Sequence, residues 1–231
     1  MTTTQILCQA REESRRVLTE IEAKQILTEA GINCTTTRLA SSREEAVSIS
    51  EEIGYPVVLK VSSVDITHKS DSGGVKINLL DRISVEKAHD KIMASCSDYA
   101  PGAVIEGISV QPMARKGTEI IMGMTRDANF GPVIMFGLGG VFVEILKDVA
   151  FRIVPLEQRD AEEMISEIKG KKLLEGYRGQ EPADVACLKQ MLVKLSDFVH
   201  TTPGIEEIDM NPVIAYRNDA VVVDARIILS A

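Results

Sequence analysis

The sequence predicts an α+β fold of two lobes around a cleft, and three observations predict it. Amphipathic runs with helical spacing alternate with short β-branched runs along the chain. Neither a low-complexity linker nor a fixed-period repeat divides the first group of elements from the second, so the two should pack as one unit. The chain ends in two β-branched runs, residues 205–213 and 221–226, with the turn pair Asn218-Asp219 between them, which reads as a hairpin.

The elements follow in order. Residues 11–30 read as a helix, because Val17, Leu18, Ile21, Ile26, Leu27 and Ala30 are spaced for one apolar face and Gly31 stands as a stop. Residues 34–39 form a short strand. Ser42-Arg43-Glu44-Glu45 is a capping box opening a helix to about Ile53, which Gly54-Tyr55-Pro56 breaks. Residues 57–61 are a buried strand carrying one lysine. A polar loop leads to a strand at 75–80, a helix at 85–95 and a strand at 103–113, which completes a first lobe. Strands dominate 119–124 and 132–146, two helices follow at about 158–168 and 183–199, and the terminal hairpin completes a second lobe.

Composition narrows the class. With 231 residues, 45% hydrophobic and 26% charged, the chain can bury a real core. A net charge of −8 offers no electrostatic footprint for nucleic acid. No stretch approaches the roughly 18 apolar residues of a spanning helix, and residues 1–5 lack the charged and apolar regions of a signal peptide, so a cytoplasmic protein with no membrane partner is expected. Cys8, Cys34, Cys96 and Cys187 are scattered without a C-x-x-C pair, which suits reduced, mostly buried thiols.

Four segments carry candidate chemistry. In the hairpin, Asn211 and Asp224 are hard oxygen ligands near facing strand positions, and Asp209 and Glu207 share Asn211's face by the period of two. Such a set suits Mg2+, which takes one or two protein oxygens plus the phosphates of a nucleotide; the competing reading is an ordinary acidic hairpin whose Asn-Pro ends a strand. Lys60 lies centrally in an apolar strand, where an unpaired ammonium is costly, so it should face an anion such as phosphate; the alternative is a snorkelling or salt-bridged lysine at a strand edge. The glycine cluster at 136–141 can bring backbone N–H groups close to a ligand but matches neither a P-loop nor a dinucleotide fingerprint. In the loop 65–76, His68 sits among hydroxyls, carboxylates and glycines. A neutral imidazole there can accept a phosphoryl group, with simple solvent exposure as the competing reading. His89, on an amphipathic helix, and His200, in a helix's last turn, need no such role.

Together, Val57-Val58-Leu59-Lys60-Val61 with His68-Lys69-Ser70-Asp71 and Gly73-Gly74-Val75, the segment 130–140, and Ile208-Asp209-Met210-Asn211-Pro212 with Val223-Asp224-Ala225 form an ordered set. The set resembles the ATP-grasp β subunit of NDP-forming (ADP-forming) acyl-CoA synthetases, in the succinyl-CoA synthetase superfamily, over essentially the whole chain. The length agrees with a separate β subunit, with no CoA-binding or second ligase-like domain appended.

The resemblance implies one ATP-grasp domain over 1–231, two-lobed with nucleotide in the cleft between lobes: a small lobe of about 20–110 and a second of about 111–231, to which 1–19 would belong. It implies Lys60 at the nucleotide phosphates, Gly73 and Gly74 closing over them, Gln111 and Met113 holding the adenine, Glu119 near the ribose, and Asn211 and Asp224 on Mg2+. His68 would take a phosphoryl group from a histidine of a CoA-binding α subunit, in an α2β2 assembly, and pass it to ADP. Succinyl-type enzymes lack an equivalent histidine, so His68 points to the acetyl branch. Glu144 and Arg152 match too loosely for assignment. A self-contained ATP-grasp carboxylate ligase and a non-catalytic nucleotide-binding subunit are the alternatives, and His68 discriminates against both.

Overall fold

A computed structural model describes residues 1–66, 68–140, 148–177 and 179–230. Two compact units result: Thr35–Arg115 form the smaller, and Met1–Cys34 with Lys116–Ala231 the larger. The first boundary thus falls at Cys34, later than the residue 20 expected for the start of the small lobe, because the helix before it packs within the larger unit.

The smaller unit is a four-stranded antiparallel sheet with two helices. Its strands are β1 (Arg38–Ala40), β2 (Val57–Ser62), β3 (Val75–Leu79) and β4 (Gly107–Pro112), in the order β1-β4-β2-β3. Helices α3 (Arg43–Ile53) and α4 (Arg82–Tyr99) are each started by a cap: the Ser42 hydroxyl accepts from the Glu45 N–H at 3.1 Å and the Asp81 carboxylate from the Ser84 N–H at 2.7 Å. Alternation decides the layers. Val57, Leu59, Val61, Ile108 and Val110 point to one face and pack with Ala46, Ile49, Val85, Ile92 and Cys96 of the helices into a single core. Lys60, Ser62, Ser109 and Gln111 therefore share the other face.

The larger unit begins with α1 (Thr3–Glu12) and α2 (Glu20–Glu29). The single helix expected over 11–30 is a mistaken reading. Thr19 and Glu22 form a reciprocal capping box that starts α2 afresh, Ser14 adopts φ +55°, and Val17 and Leu18 are used instead in strand-like pairing with Ile228 and Ile227. The long strands are β5 (Thr118–Asp127), β6 (Gly131–Leu138), β7 (Val149–Ile153) and β8 (Ile205–Ala215), joined by β9 (Ala220–Val222) and β10 (Ala225–Leu229). Their order is β10-β8-β5-β6-β7, with β9 also on β8, all antiparallel. The terminal runs are hairpin neighbours as the sequence predicts, although the return run is broken at Val223-Asp224 into β9 and β10. Helices α5 (Gln158–Glu167) and α6 (Val185–Thr201), with α1 and α2, cover the face formed by Ile120, Met122, Phe136, Ile208, Met210 and Ile227. No helix among the described residues is long and apolar enough to cross a membrane.

Candidate functional site

The smaller sheet builds a buried polar face. Lys60 lies opposite Val75 on β3 and Ser109 on β4, and Val58 opposite Gln111, so Lys60 and Gln111 are diagonal neighbours on one face. Lys60 is 4% exposed and Gln111 is fully buried. The Ser109 hydroxyl donates to the Lys60 carbonyl at 3.3 Å, and the Thr37 hydroxyl to Gln111 Oε1 at 3.2 Å. Lys60 is thus a central-strand residue rather than an edge one, fixed by two flanking strands. Met113 lies just past β4, half-buried, its N–H donating to the Pro56 carbonyl at 2.9 Å.

His68 belongs to a different kind of structure. The Ser72 N–H donates to the His68 carbonyl at 3.2 Å, the Gly73 N–H to that of Ser70 at 3.1 Å and the Gly74 N–H to that of Lys69 at 2.8 Å. With Gly73 at φ +69°, this is one helical turn closed by a Schellman motif. The two glycines answer two local needs: Gly73 takes the left-handed position, and a Cβ on Gly74 would stand 2.6 Å from Val61 Cγ1. Their N–H groups are engaged inside the turn in this conformation. The His68 ring is 70% exposed, with Nδ1 4.0 Å from Asp71 Oδ2, three residues on along the turn.

The larger sheet carries the carboxylates on the face opposite its helices. The Asn211 N–H donates to the Asp224 carbonyl at 3.2 Å, so these two lie side by side where β8 and β10 meet, and Asp209 faces Arg226 one pair further along. Register shifts on β5 between Ile120 and Met122, leaving Asn211 and Pro212 as a bulge between Met210 and Val213. Arg226 donates to Glu207 at 2.6 Å and lies 4.0 Å from Asp209; its Nε is buried without a hydrogen-bond partner. Burial, with Glu207 and Asp224 adding negative charge against the opposing effect of Arg226, holds the Asp209 carboxyl above its ordinary pKa. A face on which a partly desolvated Asp209 lies with Glu207 and Asp224, and with the exposed Asn211 beside them, fits a hard divalent cation. Among the described residues no cluster of three or more histidine, cysteine or carboxylate side chains holds a metal by itself.

Glu119 meets the glycine cluster. The Gly139 N–H donates to the Glu119 carbonyl at 2.7 Å, and a Cβ on Gly140, at φ +63°, would stand 3.0 Å from Glu119 Oε2. Arg152 lies elsewhere. On the helix-covered face it pairs with Glu167 and Glu163 of α5, and hydrogen bonding to Glu167 raises its pKa. Glu144 lies outside the described residues. His89 sits beside Asp90 at 3.3 Å, and His200 ends α6. Of the four thiols only Cys96 is buried, a correction to the mostly buried set expected; burial raises Cys34 to about 11. Sequence reasoning assigned no role to Arg226, Ser109 or Thr37. Arg226 alternates with Asp224 on one strand, a legible signal, whereas Thr37 reaches Gln111 only through the fold.

Comparison with known proteins gives this arrangement its class. An ATP-grasp domain family matches residues 9–229. The β subunit of acetate–CoA ligase [ADP-forming] I of Pyrococcus furiosus is 47% identical over 225 residues, 97% of this chain and 97% of that one. Acetyl-coenzyme A synthetase 1 of Ca. Korarchaeum cryptofilum, solved with coenzyme A and Ca-AMPCP, superposes with a TM-score of 0.97 at 50% identity, covering 99% of this chain and 100% of that one. The same synthetase with coenzyme A and Mg-AMPPCP, its phosphohistidine segment pointing towards the nucleotide binding site, gives 0.86 at 46% identity, covering 99% and 100%. The chain belongs to the ATP-grasp family, in the branch of the ADP-forming acetate–CoA ligase β subunits.

Proposed function

We propose that the chain is the nucleotide-handling subunit of an ADP-forming acetyl-CoA synthetase, acting with a CoA-binding α subunit in the cytoplasm, in an α2β2 assembly. The overall reaction is acyl-CoA + ADP + phosphate giving carboxylic acid + CoA + ATP. One observation carries the reading: a histidine stands 70% exposed on a capped turn that runs into β3, whose Val75 pairs with the buried Lys60.

The roles follow from the chemistry of each group. Lys60, held by strands on both sides, meets nucleotide phosphates with a preplaced charge, while Gln111 and Met113 hold the adenine and Glu119 the ribose. Asn211 and Asp224 hold Mg2+, with Asp209 alongside. When bound, the ion neutralises charge on the transferring phosphoryl group. His68 accepts that group on a ring nitrogen from the α subunit's phosphohistidine and gives it up to ADP, so each step breaks one P–N bond and forms one bond to the acceptor. Gly73 and Gly74 close over the phosphates only once the turn that now engages their N–H groups has opened. The presence of a phosphohistidine segment in a synthetase 46% identical to this chain supports the assignment.

The chain mixed with Mg-ATP should carry an acid-labile, base-stable phosphate on a peptide containing His68. It should make no acyl-CoA alone and gain that activity with an α subunit. Phosphate found only on the partner would remove His68 from the relay, and full turnover by the isolated chain would favour a self-contained ligase.

A further inference from the structure

On the open face of the larger sheet one cation meets two carboxylates unevenly. Arg226 on β10 stands directly opposite Asp209 on β8, while Glu207 lies one diagonal step back along β8, opposite Ile228. Directly opposed side chains have Cβ atoms about 5 Å apart and diagonal ones about 7–8 Å, so an arginine here reaches its opposed carboxylate with the shorter stretch. The observed pairing is the reverse. Arg226 Nη2 donates to Glu207 at 2.6 Å and stops 4.0 Å short of Asp209. Its Nε is buried and makes no hydrogen bond among the described residues, so the guanidinium does not rest where all its donors are met.

The other flank of Asp209 carries no side chain. Its partner on β5 is Gly123, whereas Glu207 faces Thr125, so of the two residues paired with Asp209 only Arg226 can cover its carboxylate. A shift of the guanidinium by about an ångström would bring it to hydrogen-bond distance. Little energy opposes that shift. Arg226 and Asp209 are each 33% exposed and Glu207 is 36% exposed, and ion pairs as open as these are worth little, so the choice between the two carboxylates is easily tipped. Glu207 tips it in one direction, because it precedes Asp209 on β8 and Asn211 follows.

We propose that Glu207 is a positioning residue: it parks Arg226 on the side of Asp209 away from Asn211, and so keeps the Asp209 carboxylate open to an incoming cation. The parking stands on the distances above; its consequence for binding rests on the reading of Asn211 and Asp224, with Asp209 alongside, as the magnesium end of the nucleotide site. Without Glu207 the guanidinium closes on Asp209, where it competes with the ion for the same oxygens and sets a like charge beside it.

A crystal structure of the full chain carrying Glu207→Ala, grown without ligands, tests the parking by itself. Arg226 should close on Asp209 to roughly 3 Å, and a gap still near 4.0 Å would overturn the proposal. Calorimetric titration of the full chain with Mg-ADP tests the consequence. Glu207→Ala should weaken binding about five-fold, and Arg226→Met should bind at least as tightly as wild type to within two-fold. The double variant should also return to within two-fold of wild type, because it removes the competitor together with its holder. A structural or ligating role for Glu207 gives no such recovery. A double variant as weak as Glu207→Ala, or a Glu207→Ala chain that binds Mg-ADP like wild type, would overturn the positioning role. If Asn211→Ala and Asp224→Ala both leave Mg-ADP affinity unaltered, the magnesium reading falls alone, because the Glu207→Ala structure judges the parking without it.

Discussion

Lys60 and His68 follow one another closely in the chain, yet their surroundings are opposite. Lys60 is 4% exposed in a strand paired on both sides, with its carbonyl held by Ser109. His68 has a ring 70% exposed on a single capped turn, with Asp71 beside it at 4.0 Å. A group that binds gains from being preplaced on rigid strands, because ordering it costs nothing further at the moment of binding. A group that carries must move, and movable segments come from the least packed parts of a fold. With the roles proposed for them, binding and transfer should be separable by substitution.

The largest separation should come at the histidine. His68→Ala is expected to lower phosphoryl transfer to ADP by three orders of magnitude or more, since His68 carries the turn's imidazole, the group that accepts a phosphoryl near neutral pH without first losing a proton. Mg-nucleotide affinity should stay within roughly tenfold, or about 1.4 kcal/mol. His68→Asn should fail alike, because an amide is not a comparable nucleophile. Isotope transfer and calorimetry on the same preparations decide it; a variant that loses both properties together would place His68 in the binding site instead.

At the opposite pole, Lys60→Met keeps the stem and removes the charge. Nucleotide affinity should fall by roughly thirty-fold, about 2 kcal/mol, in the range for a charge-assisted hydrogen bond. The fold should persist, because Met keeps the unbranched stem that fills this buried strand position. Unaltered affinity in titration calorimetry would return Lys60 to a structural role.

On the larger sheet, Asp224→Ala should weaken Mg-nucleotide binding by about tenfold and leave metal-free nucleotide binding unaltered, since the change removes one ligand oxygen. The loss should therefore shrink as magnesium is withdrawn. A loss independent of magnesium would mean that Asp224 supports the hairpin, through the bond from the Ala225 N–H to its Oδ1 at 3.1 Å, rather than an ion.

The same contrast explains what was legible in the sequence. A short apolar run after the breaker Gly54-Tyr55-Pro56 placed Lys60 in a strand, and the β-branched terminal runs announced paired strands that bring Asn211 beside Asp224. Local start signals were readable too: Thr19-x-x-Glu22 is a capping box, and overlooking it merged a strand-like stretch at Val17 and Leu18 into a helix. What was not legible depends on tertiary contact. The need for glycine at 74 comes from Val61, Cys96 is buried beneath Ser72, and the placement of Arg152 against α5 follows from which face of β7 the helix covers. No spacing in the sequence encodes these.

The smallest expected effect concerns Asp209, whose carboxyl is held above its ordinary value chiefly by burial and then by neighbouring carboxylates. The folded chain therefore binds this proton more tightly than the unfolded chain. Between the ordinary value of 3.8 and the raised one, the folded state holds the extra proton, so stability falls as pH rises through that window and stays lower at neutral pH. Asp209→Asn carries no charge at any pH and escapes the loss. Without magnesium or nucleotide, its Tm at neutral pH should exceed the wild type's by about 2 °C, a fraction of a kcal/mol to one in a chain of this size, discounted because the side chain is 33% exposed. The gain should narrow as pH is lowered through the raised value and vanish below 3.8, where the wild-type group is protonated in both states. Magnesium should favour the wild type more than the variant, since a cation offsets the crowding that Asn lacks. A variant less stable than wild type at neutral pH would show that attraction to Arg226, 4.0 Å away, outweighs desolvation, and that this carboxylate is a structural partner rather than one kept strained for a ligand.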